Sequence, residues 1–130
     1  MKTIEVVAAI IKKDKKIFVA ERGYGDWKGY YEMPGGKIEK GETKEAALIR
    51  EVKEELDTDI KVETYIDSIN YDYPNFHLTM HCFLCSIVKG KLTLLEHENA
   101  KWLSANEMEN VKWLPADIQI LEKLKEIAER

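Results

Sequence analysis

The chain has 130 residues and a hydrophobic content of 45%, which is enough for the core of one domain spanning residues 1–130. Its net charge of -4 excludes the basic field that holds a nucleic-acid polymer, so any nucleotide partner is expected to be a small molecule. The apolar run before the first lysine cluster is too short for a membrane span and has no signal-peptide cleavage site, which predicts a cytoplasmic protein without a membrane partner. The oligomeric state stays open.

The first part of the chain predicts a β-hairpin followed by a long loop. Ile4 to Ile11 and Lys16 to Glu21 have strand composition and flank a turn at Asp14-Lys15. Residues 22–36 hold five glycines, a proline and several aromatic residues, which is typical of a binding loop. Within it, residues 31–33 are expected to be extended and to end in a tight turn at residues 34–36.

A helix is predicted next, from an N-cap at Thr43 to about Leu56. Its apolar side is expected to hold four residues, Leu48, Ile49, Val52 and Leu56.

The second half of the chain alternates predicted strands with two helices. The strands are 60–71, 76–88, 91–95 and 101–103, and the first two are joined through Tyr73-Pro74-Asn75. The helices are 104–110 and 117–129, the second with a buried stripe at Ile118, Leu121, Leu124 and Ala128. This order predicts an α+β fold, an α/β/α sandwich with a mixed β-sheet between helices.

Cys82 and Cys85 form a C-x-x-C pair that invites a metal or redox interpretation. Residues three apart on a strand point to opposite faces, however, so we interpret them as reduced packing cysteines. His77 and His81 share a strand face about 13 Å apart, which disfavours a shared metal ion.

The most informative segment is acidic. Glu51, Glu54 and Glu55 are spaced so that a helix places their carboxylates on one face, where like charges cost a few tenths of a kcal/mol each. A divalent cation reverses that cost. Mg²⁺ prefers such oxygen ligands and bridges carboxylates to substrate phosphates, so we predict a Mg²⁺ site, with Mn²⁺ as an alternative. The competing interpretation is a solvated acidic helix face.

Gly36, Glu42 and Arg50-Glu51-Val52-Lys53-Glu54-Glu55 reproduce a longer pattern, G-x5-E-x7-R-E-U-x-E-E, in which U is aliphatic. The chain therefore resembles the Nudix hydrolases. It departs from their pattern after Leu56, where Asp57 stands in place of the expected glycine. Aspartate tolerates a left-handed helix exit less readily than glycine, so the departure concerns the end of the helix and not the carboxylates.

The resemblance implies roles around the acidic helix. Glu51 and Glu54 would be catalytic and, with Glu55 and the carbonyl of Gly35, would hold the metal. Arg50 would act in catalysis by holding Glu54 in a bidentate fork and orienting Glu51. Glu42 has a structural role, as a possible partner of Arg50.

The resemblance also implies a further carboxylate, on a loop after the central strands. Glu96 stands six residues before Trp102, as in relatives that this chain resembles, and Glu98 is the alternative. We favour Glu96 as a catalytic base or an additional metal ligand. An exposed loop glutamate is the competing interpretation.

The resemblance extends over nearly the whole chain. Within the family the chain is similar to the MutT-type branch, which hydrolyses nucleoside triphosphates to the monophosphate and pyrophosphate. By this similarity Arg22 and Lys37 would bind phosphates, although both are also consistent with solvated cations.

Asp117 is the position where this branch places a polar side chain against the base. A carboxylate accepts hydrogen bonds, which suits the amino group of cytosine or the N–H groups of an oxidised guanine. An ordinary N-cap is the equal alternative. We further expect the mixed face of the strand at residues 76–88, with His81 and Phe83, to line the base pocket together with Phe76 or Tyr71. For Phe83 a position in the core is the equal alternative.

These observations predict a Mg²⁺-dependent enzyme, a Nudix nucleoside triphosphate pyrophosphohydrolase that sanitises modified or cytosine nucleotides. Hydrolysis of ADP-ribose or another nucleoside diphosphate derivative is one alternative, disfavoured by the compact chain. A non-catalytic nucleotide-binding module is another, disfavoured because none of the motif's acids is missing.

Overall fold

The computed structural model describes residues 1–130 and contains a seven-stranded sheet with helices packed against both faces. The strands are β1 (Lys2–Lys13), β2 (Lys16–Glu21), β3 (Tyr31–Glu32), β4 (Gly35–Lys37), β5 (Asp59–Tyr73), β6 (Phe76–Lys89) and β7 (Asn99–Leu103). The helices are α1 (Lys44–Leu56), a 3-10 helix (Ala105–Asn110), α2 (Pro115–Ile118) and α3 (Leu121–Glu129). None of them has the length and apolarity that crossing a bilayer would need.

The sheet is mixed. Its strand order is β3-β2-β1-β6-β5, with β4 also paired to β1 and β7 paired to β2. β1 runs parallel to β6 and antiparallel to β2 and β4.

Alternate residues of β1 enter two separate apolar clusters. Val7, Ala9 and Ile11 pack on the side of α1, whereas Ala8 and Ile10 pack on the side of α2 and α3. Because successive side chains point to opposite faces, β1 is buried on both sides. This arrangement confirms the predicted α/β/α sandwich. Cys82 and Cys85 also divide between the two clusters, and both are free thiols.

Helix α1 begins and ends as its sequence predicts. The Thr43 hydroxyl accepts a hydrogen bond from the main-chain N–H of Ala46 at 3.1 Å, and Asp57 adopts the left-handed conformation with φ 49° and ψ 44°. The predicted apolar side is wrong at Ile49, which is 41% exposed. The row Leu48, Val52 and Leu56 faces the sheet, and each helical residue is turned by about 100° from the one before, which points Ile49 outward.

Replacing Leu48 with alanine is expected to lower the free energy of unfolding by about 2–5 kcal/mol, because the completely buried side chain would leave a cavity. Ile49→Ala on the same turn is the matched control and should cost less than about 1 kcal/mol, since most surface substitutions have small effects. Equilibrium denaturation in urea measures both. Equal losses at the two positions would contradict the packing of α1.

Two predicted features are wrong, the tight turn at residues 34–36 and the strand at residues 91–95. Gly35 and Gly36 are in β4, opposite Ala8 and Val7, rather than in a tight turn. The predicted strand at 91–95 is instead an irregular segment along the end of α1, where the N–H groups of Thr93 and Leu95 donate to the carbonyls of Leu56 and Glu55 at 2.9 and 3.1 Å. The last carbonyls of a helix lack partners within it, so this segment caps α1 instead of extending the sheet.

The predicted C-terminal helix is interrupted. It forms two helices, α2 and α3, with Gln119 and Ile120 between them. This break lets Ile120 enter the core with 1% exposure, whereas Ile118, predicted to be buried, is 50% exposed.

Candidate active site

Five carboxylates line one open cavity beside α1, one of them Glu39 from the loop before the helix. Glu51 and Glu55 come from α1, Glu32 from β3 and Glu96 from the loop before β7. The wall of this acidic cavity also contains Arg22, Tyr24, Gly35, Gly36, Lys37 and Phe76. Glu54 is not part of the wall, and its side chain is 54% exposed. The predicted row of three carboxylates is therefore divided between two that face the cavity and one that faces solvent.

The glycines of β4 make room for the carboxylates of α1. A Cβ atom added to Gly36 would lie 2.5 Å from the carboxylate carbon of Glu51, and one added to Gly35 would lie 1.9 Å from the Val7 carbonyl oxygen. The main-chain N–H of Gly35 donates to Glu55 Oε1 at 3.3 Å. Side chains at either position would thus displace the acidic helix or β1.

Arg50 ties the acidic helix to the preceding loop. Its Nε and Nη2 donate to the two oxygens of Glu42 at 2.7 and 2.9 Å. Its Nη1 donates to Glu51 at 3.0 Å and to both oxygens of Glu54 at 3.3 Å. The predicted contacts with Glu42 and Glu51 are confirmed. Arg50 also contacts Glu54 as predicted, but through Nη1 alone, because the bidentate Nε edge of the guanidinium is directed to Glu42.

The acidic cavity carries more negative charge than its cations balance. Burial and the neighbouring carboxylates of Glu32 and Glu51 raise the pKa of Glu55 to about 9. Burial also raises the pKa of Glu51, although the hydrogen bond from Arg50 opposes this. An added cation would relieve the repulsion among these groups.

The raised pKa of Glu55 predicts how stability depends on pH in protein kept free of metal with a chelator. The carboxyl has an ordinary pKa of 4.5 in the unfolded chain and about 9 in the folded protein. Its contribution to stability is therefore complete below about pH 4.5 and is lost as the pH rises toward 9. We expect Glu55→Gln to be more stable than the wild type at about pH 8, with the difference vanishing in mild acid.

Urea denaturation across this pH range measures the effect. Glu45→Gln is the matched control, because Glu45 is exposed in the first turn of the same helix. A Glu55→Gln variant less stable than the wild type at about pH 8 would contradict the electrostatic account.

The donor set fits a hard divalent cation. Glu51, Glu55 and Glu96 offer oxygen ligands, and their surplus negative charge favours a cation. No three acidic, histidine or cysteine side chains converge on one point. Mg²⁺ does not require such convergence, since it keeps several waters and takes one or two carboxylates together with substrate phosphates.

The loop before β7 distinguishes between the two candidate carboxylates at 96 and 98. Glu96 lines the acidic cavity, whereas the carboxylate of Glu98 lies over Gly23. The main-chain N–H of Glu98 donates to the Glu21 carbonyl at 2.9 Å. This placement favours Glu96. Its role as a base or a metal ligand stays a prediction.

An apolar cavity adjoins the acidic one. Its wall includes Trp27, Tyr73, Phe76, Leu78, Met80 and Asp117, and it shares Arg22, Glu32, Gly35, Gly36 and Phe76 with the acidic cavity. The rings of Tyr73 and Phe76 stack with centroids 5.1 Å apart. Aromatic walls of this kind suit a flat heterocycle.

His81 and Phe83, predicted to bind the substrate, lie on the other side of the sheet. Phe83 packs in the cluster of α1, and His81 hydrogen-bonds to Ser68 at 2.6 Å and Glu5 at 2.7 Å. The apolar cavity opens between the sheet and α2, so the even-numbered face of β6, with Phe76, Leu78 and Met80, lines it. The predicted alternation along β6 is confirmed, but the prediction that its mixed face lines the pocket is wrong.

Asp117 does not cap a helix. Leu114 is the N-cap of α2, and Asp117 stands in its first turn with its Oδ2 accepting a hydrogen bond from the main-chain N–H of Met33 at 3.0 Å. The residue is 4% exposed. Burial and the negative charge of Glu32 raise its pKa to about 7.

The two predicted phosphate-binding cations differ in their surroundings. Arg22 Nη2 donates to Glu32 Oε1 at 2.8 Å, so Arg22 is ion-paired rather than freely solvated. Lys37 is exposed at the wall of the acidic cavity. Arg22 and Lys37 line the same cavity, so both side chains are placed to contact one bound ligand.

The sequence profile of the NUDIX domain matches residues 1–124. The chain belongs to the Nudix hydrolase family. CTP pyrophosphohydrolase of Escherichia coli (strain K12) is 38% identical over 123 residues, which cover 94% of this chain and 91% of that protein. The 8-oxo-dGTP diphosphatase of Proteus vulgaris is 37% identical over 94 residues, or 71% of this chain and 84% of that protein.

The fold has a close counterpart among solved structures. The solution structure of the DNA mismatch repair protein MutT from methicillin-resistant Staphylococcus aureus 252 has a TM-score of 0.77 and 37% identity, covering 98% of this chain and 99% of that one. These comparisons confirm the predicted family, its MutT-type branch and the fold.

In this Nudix hydrolase, sequence reasoning missed Glu32 and His97. Burial would raise the pKa of Glu32, but hydrogen bonds and charge from His97 and Arg22 outweigh it and lower that pKa. The sequence offered one signal, since Glu32 stands between two large apolar residues, Tyr31 and Met33, and the structure shows both of them buried. Trp27 is one of the aromatic residues of the predicted binding loop, but its place beside Tyr73 was missed, because contacts between a loop and a distant strand leave no pattern along the chain.

Proposed function

We propose that this Nudix hydrolase converts (deoxy)nucleoside triphosphates, in particular cytosine or modified nucleotides, to the monophosphate and pyrophosphate with Mg²⁺ or Mn²⁺. One observation carries the proposal. The acidic cavity and the apolar cavity adjoin and share Arg22, Glu32 and the glycines of β4 in their walls. A molecule with a flat base at one end and a polyphosphate at the other matches this pair of cavities.

The residues divide the work by position. Glu51 and Glu55, with the carbonyl of Gly35, would hold the cation at the wall of the acidic cavity, and Arg50 keeps Glu51 in place. Glu54, whose exposed side chain lies outside that wall, would join them by turning toward the cavity. When bound, the cation supplies charge neutralisation on the phosphate oxygens and acidifies the attacking water. Arg22 and Lys37 would bind the phosphates. Glu96 faces the same cavity and would serve as a further ligand or accept the proton that the water loses.

The apolar cavity would select the base. Trp27, Tyr73 and Phe76 offer aromatic surfaces for it, and Asp117 lies at the wall with one carboxylate oxygen already engaged by Met33. An ionised Asp117 accepts a hydrogen bond from an amino or ring N–H group of the base. The names of the two relatives, one acting on CTP and one on 8-oxo-dGTP, support cytosine and oxidised guanine nucleotides as the two candidate substrates.

A turnover panel tests the proposal. Purified protein with Mg²⁺ is offered the common, 8-oxo and 5-substituted nucleoside triphosphates and ADP-ribose, and pyrophosphate and monophosphates are scored separately. We expect pyrophosphate release, fastest from a cytosine or oxidised guanine nucleotide. Faster cleavage of ADP-ribose would support the alternative hydrolase, and tight nucleotide binding without turnover would support the non-catalytic module.

A further inference from the structure

Glu32 stands where the two cavities meet, and two side chains hold it there. Arg22 Nη2 and Nε lie 2.8 and 3.3 Å from its two oxygens. His97 Nε2 lies 3.1 Å from Oε2. The side chains of Glu32 and His97 are 16% and 7% exposed, so this contact is largely removed from solvent.

The contact determines which ring nitrogen of His97 carries hydrogen. A carboxylate accepts hydrogen bonds and has no hydrogen to donate, so His97 Nε2 must be the donor. The other nitrogen, Nδ1, is buried and has no hydrogen-bond partner in the protein. The ring is therefore held from one side only, through Glu32.

His97 also lies in the loop that presents Glu96. The main chain of this loop is attached at Leu95, whose N–H donates to Glu55, and at Glu98, whose N–H donates to Glu21. Between these two points the loop has no regular structure. The hydrogen bond of His97 to Glu32 adds a side-chain attachment at the residue next to Glu96.

We propose that His97 is a positioning residue that fixes Glu32 at the junction of the cavities and, with it, the loop carrying Glu96. This role rests on the proposed function, because Glu96 acts in the acidic cavity and Glu32 borders the nucleotide. Residues that orient the groups around a metal site typically change its affinity or activity by about 10- to 100-fold when replaced.

Two substitutions separate the donor from the bulk of the ring. In His97→Gln the longer side chain can place an amide N–H near the position of Nε2, whereas in His97→Asn the amide reaches only the position of Nδ1. We expect His97→Asn to lower kcat/KM by about 10- to 100-fold and His97→Gln to recover most of it. His77→Asn is the control, since His77 bonds to Asp72 and Asn70 away from both cavities.

A double-mutant cycle with Glu32→Gln tests whether His97 acts through Glu32. We expect the loss in the double variant to be smaller than the product of the two single losses, because both remove the same contact. A loss in the double variant equal to the product of the two single losses would overturn the proposal. Equal activity of His97→Asn and the wild type would also overturn it. The proposal would likewise fail if His97→Asn and His97→Gln lost equal kcat/KM and the loss matched a drop in their thermal stability.

Two readouts do not depend on turnover. Long-range ¹H–¹⁵N spectra of the wild type should show hydrogen on Nε2 of His97, and hydrogen on Nδ1 alone would overturn the proposal even if a variant fails to fold. Mn²⁺ titration followed by electron paramagnetic resonance should show weaker binding in His97→Asn than in His97→Gln. A wild type without turnover on any nucleotide would instead reject the proposed function, leaving these two measurements to judge His97.

Discussion

Replacing Glu54 with glutamine is expected to lower kcat by roughly 100- to 1,000-fold, the range typical for loss of one group that stabilises charge in the transition state. The change removes one negative charge at nearly constant shape. Glu54 is half exposed and its only hydrogen bonds are those from Arg50 at 3.3 Å, so the free energy of unfolding should change by less than about 1 kcal/mol. Steady-state kinetics with saturating Mg²⁺ and urea denaturation measure the two quantities.

Glu45→Gln provides the matched control for Glu54→Gln. Glu45 is exposed on the same helix and lines neither the acidic nor the apolar cavity. Its replacement should leave kcat within about twofold of the wild type, since exposed positions away from a site have small effects. Unchanged turnover in Glu54→Gln would reject the assignment of Glu54 to the chemistry.

Replacing Asp117 with asparagine is expected to change which nucleotide is hydrolysed fastest. The carboxylate oxygen that accepts from Met33 can be replaced by the amide oxygen, which turns the –NH2 group toward the base. A donor then replaces an acceptor. The ratio of kcat/KM between cytosine and uracil nucleotides should fall by about 10- to 100-fold, the equivalent of one unpaired polar group.

The pKa of Asp117, raised to about 7, adds a pH test of the same residue. The carboxyl is increasingly ionised above this pH, so wild-type preference for bases with an amino donor should strengthen between about pH 6 and 8, and Asp117→Asn should abolish the change. Asp14→Asn, at the exposed turn between β1 and β2, is the control. An unaltered nucleotide ranking in Asp117→Asn would reject base recognition by this residue.

The acidic helix was predictable because its signals are local. Thr43 as N-cap, the row Leu48, Val52 and Leu56, and the contacts of Arg50 with Glu42 and Glu51 all follow from spacing along one helix or from a motif of fixed spacing. The cavity wall around it was less predictable. Neither the division of Glu54 from Glu51 and Glu55 nor the glycine strand that receives Glu51 can be derived from helical periodicity, because both depend on where α1 meets β4.

The base pocket shows the limit of strand periodicity. Alternation along β6 separates Phe76, Leu78 and Met80 from His81 and Phe83, but it does not say which of the two layers contains the cavity. The sequence predicts the mixed face at the pocket, whereas the apolar face lines it and the polar groups of the wall come from Asp117, Arg22 and Glu32. Long-range contacts of this kind, such as His97 with Glu32, are set by tertiary packing.

Product identification tests the central claim most directly. The wild type is incubated with Mg²⁺ and the best nucleoside triphosphate of the panel, and the phosphorus-containing products are resolved by ³¹P NMR, with a parallel sample in excess chelator. The proposed function predicts the nucleoside monophosphate and pyrophosphate, and no turnover with chelator. Release of orthophosphate with the nucleoside diphosphate, or equal turnover with and without chelator, would contradict the account.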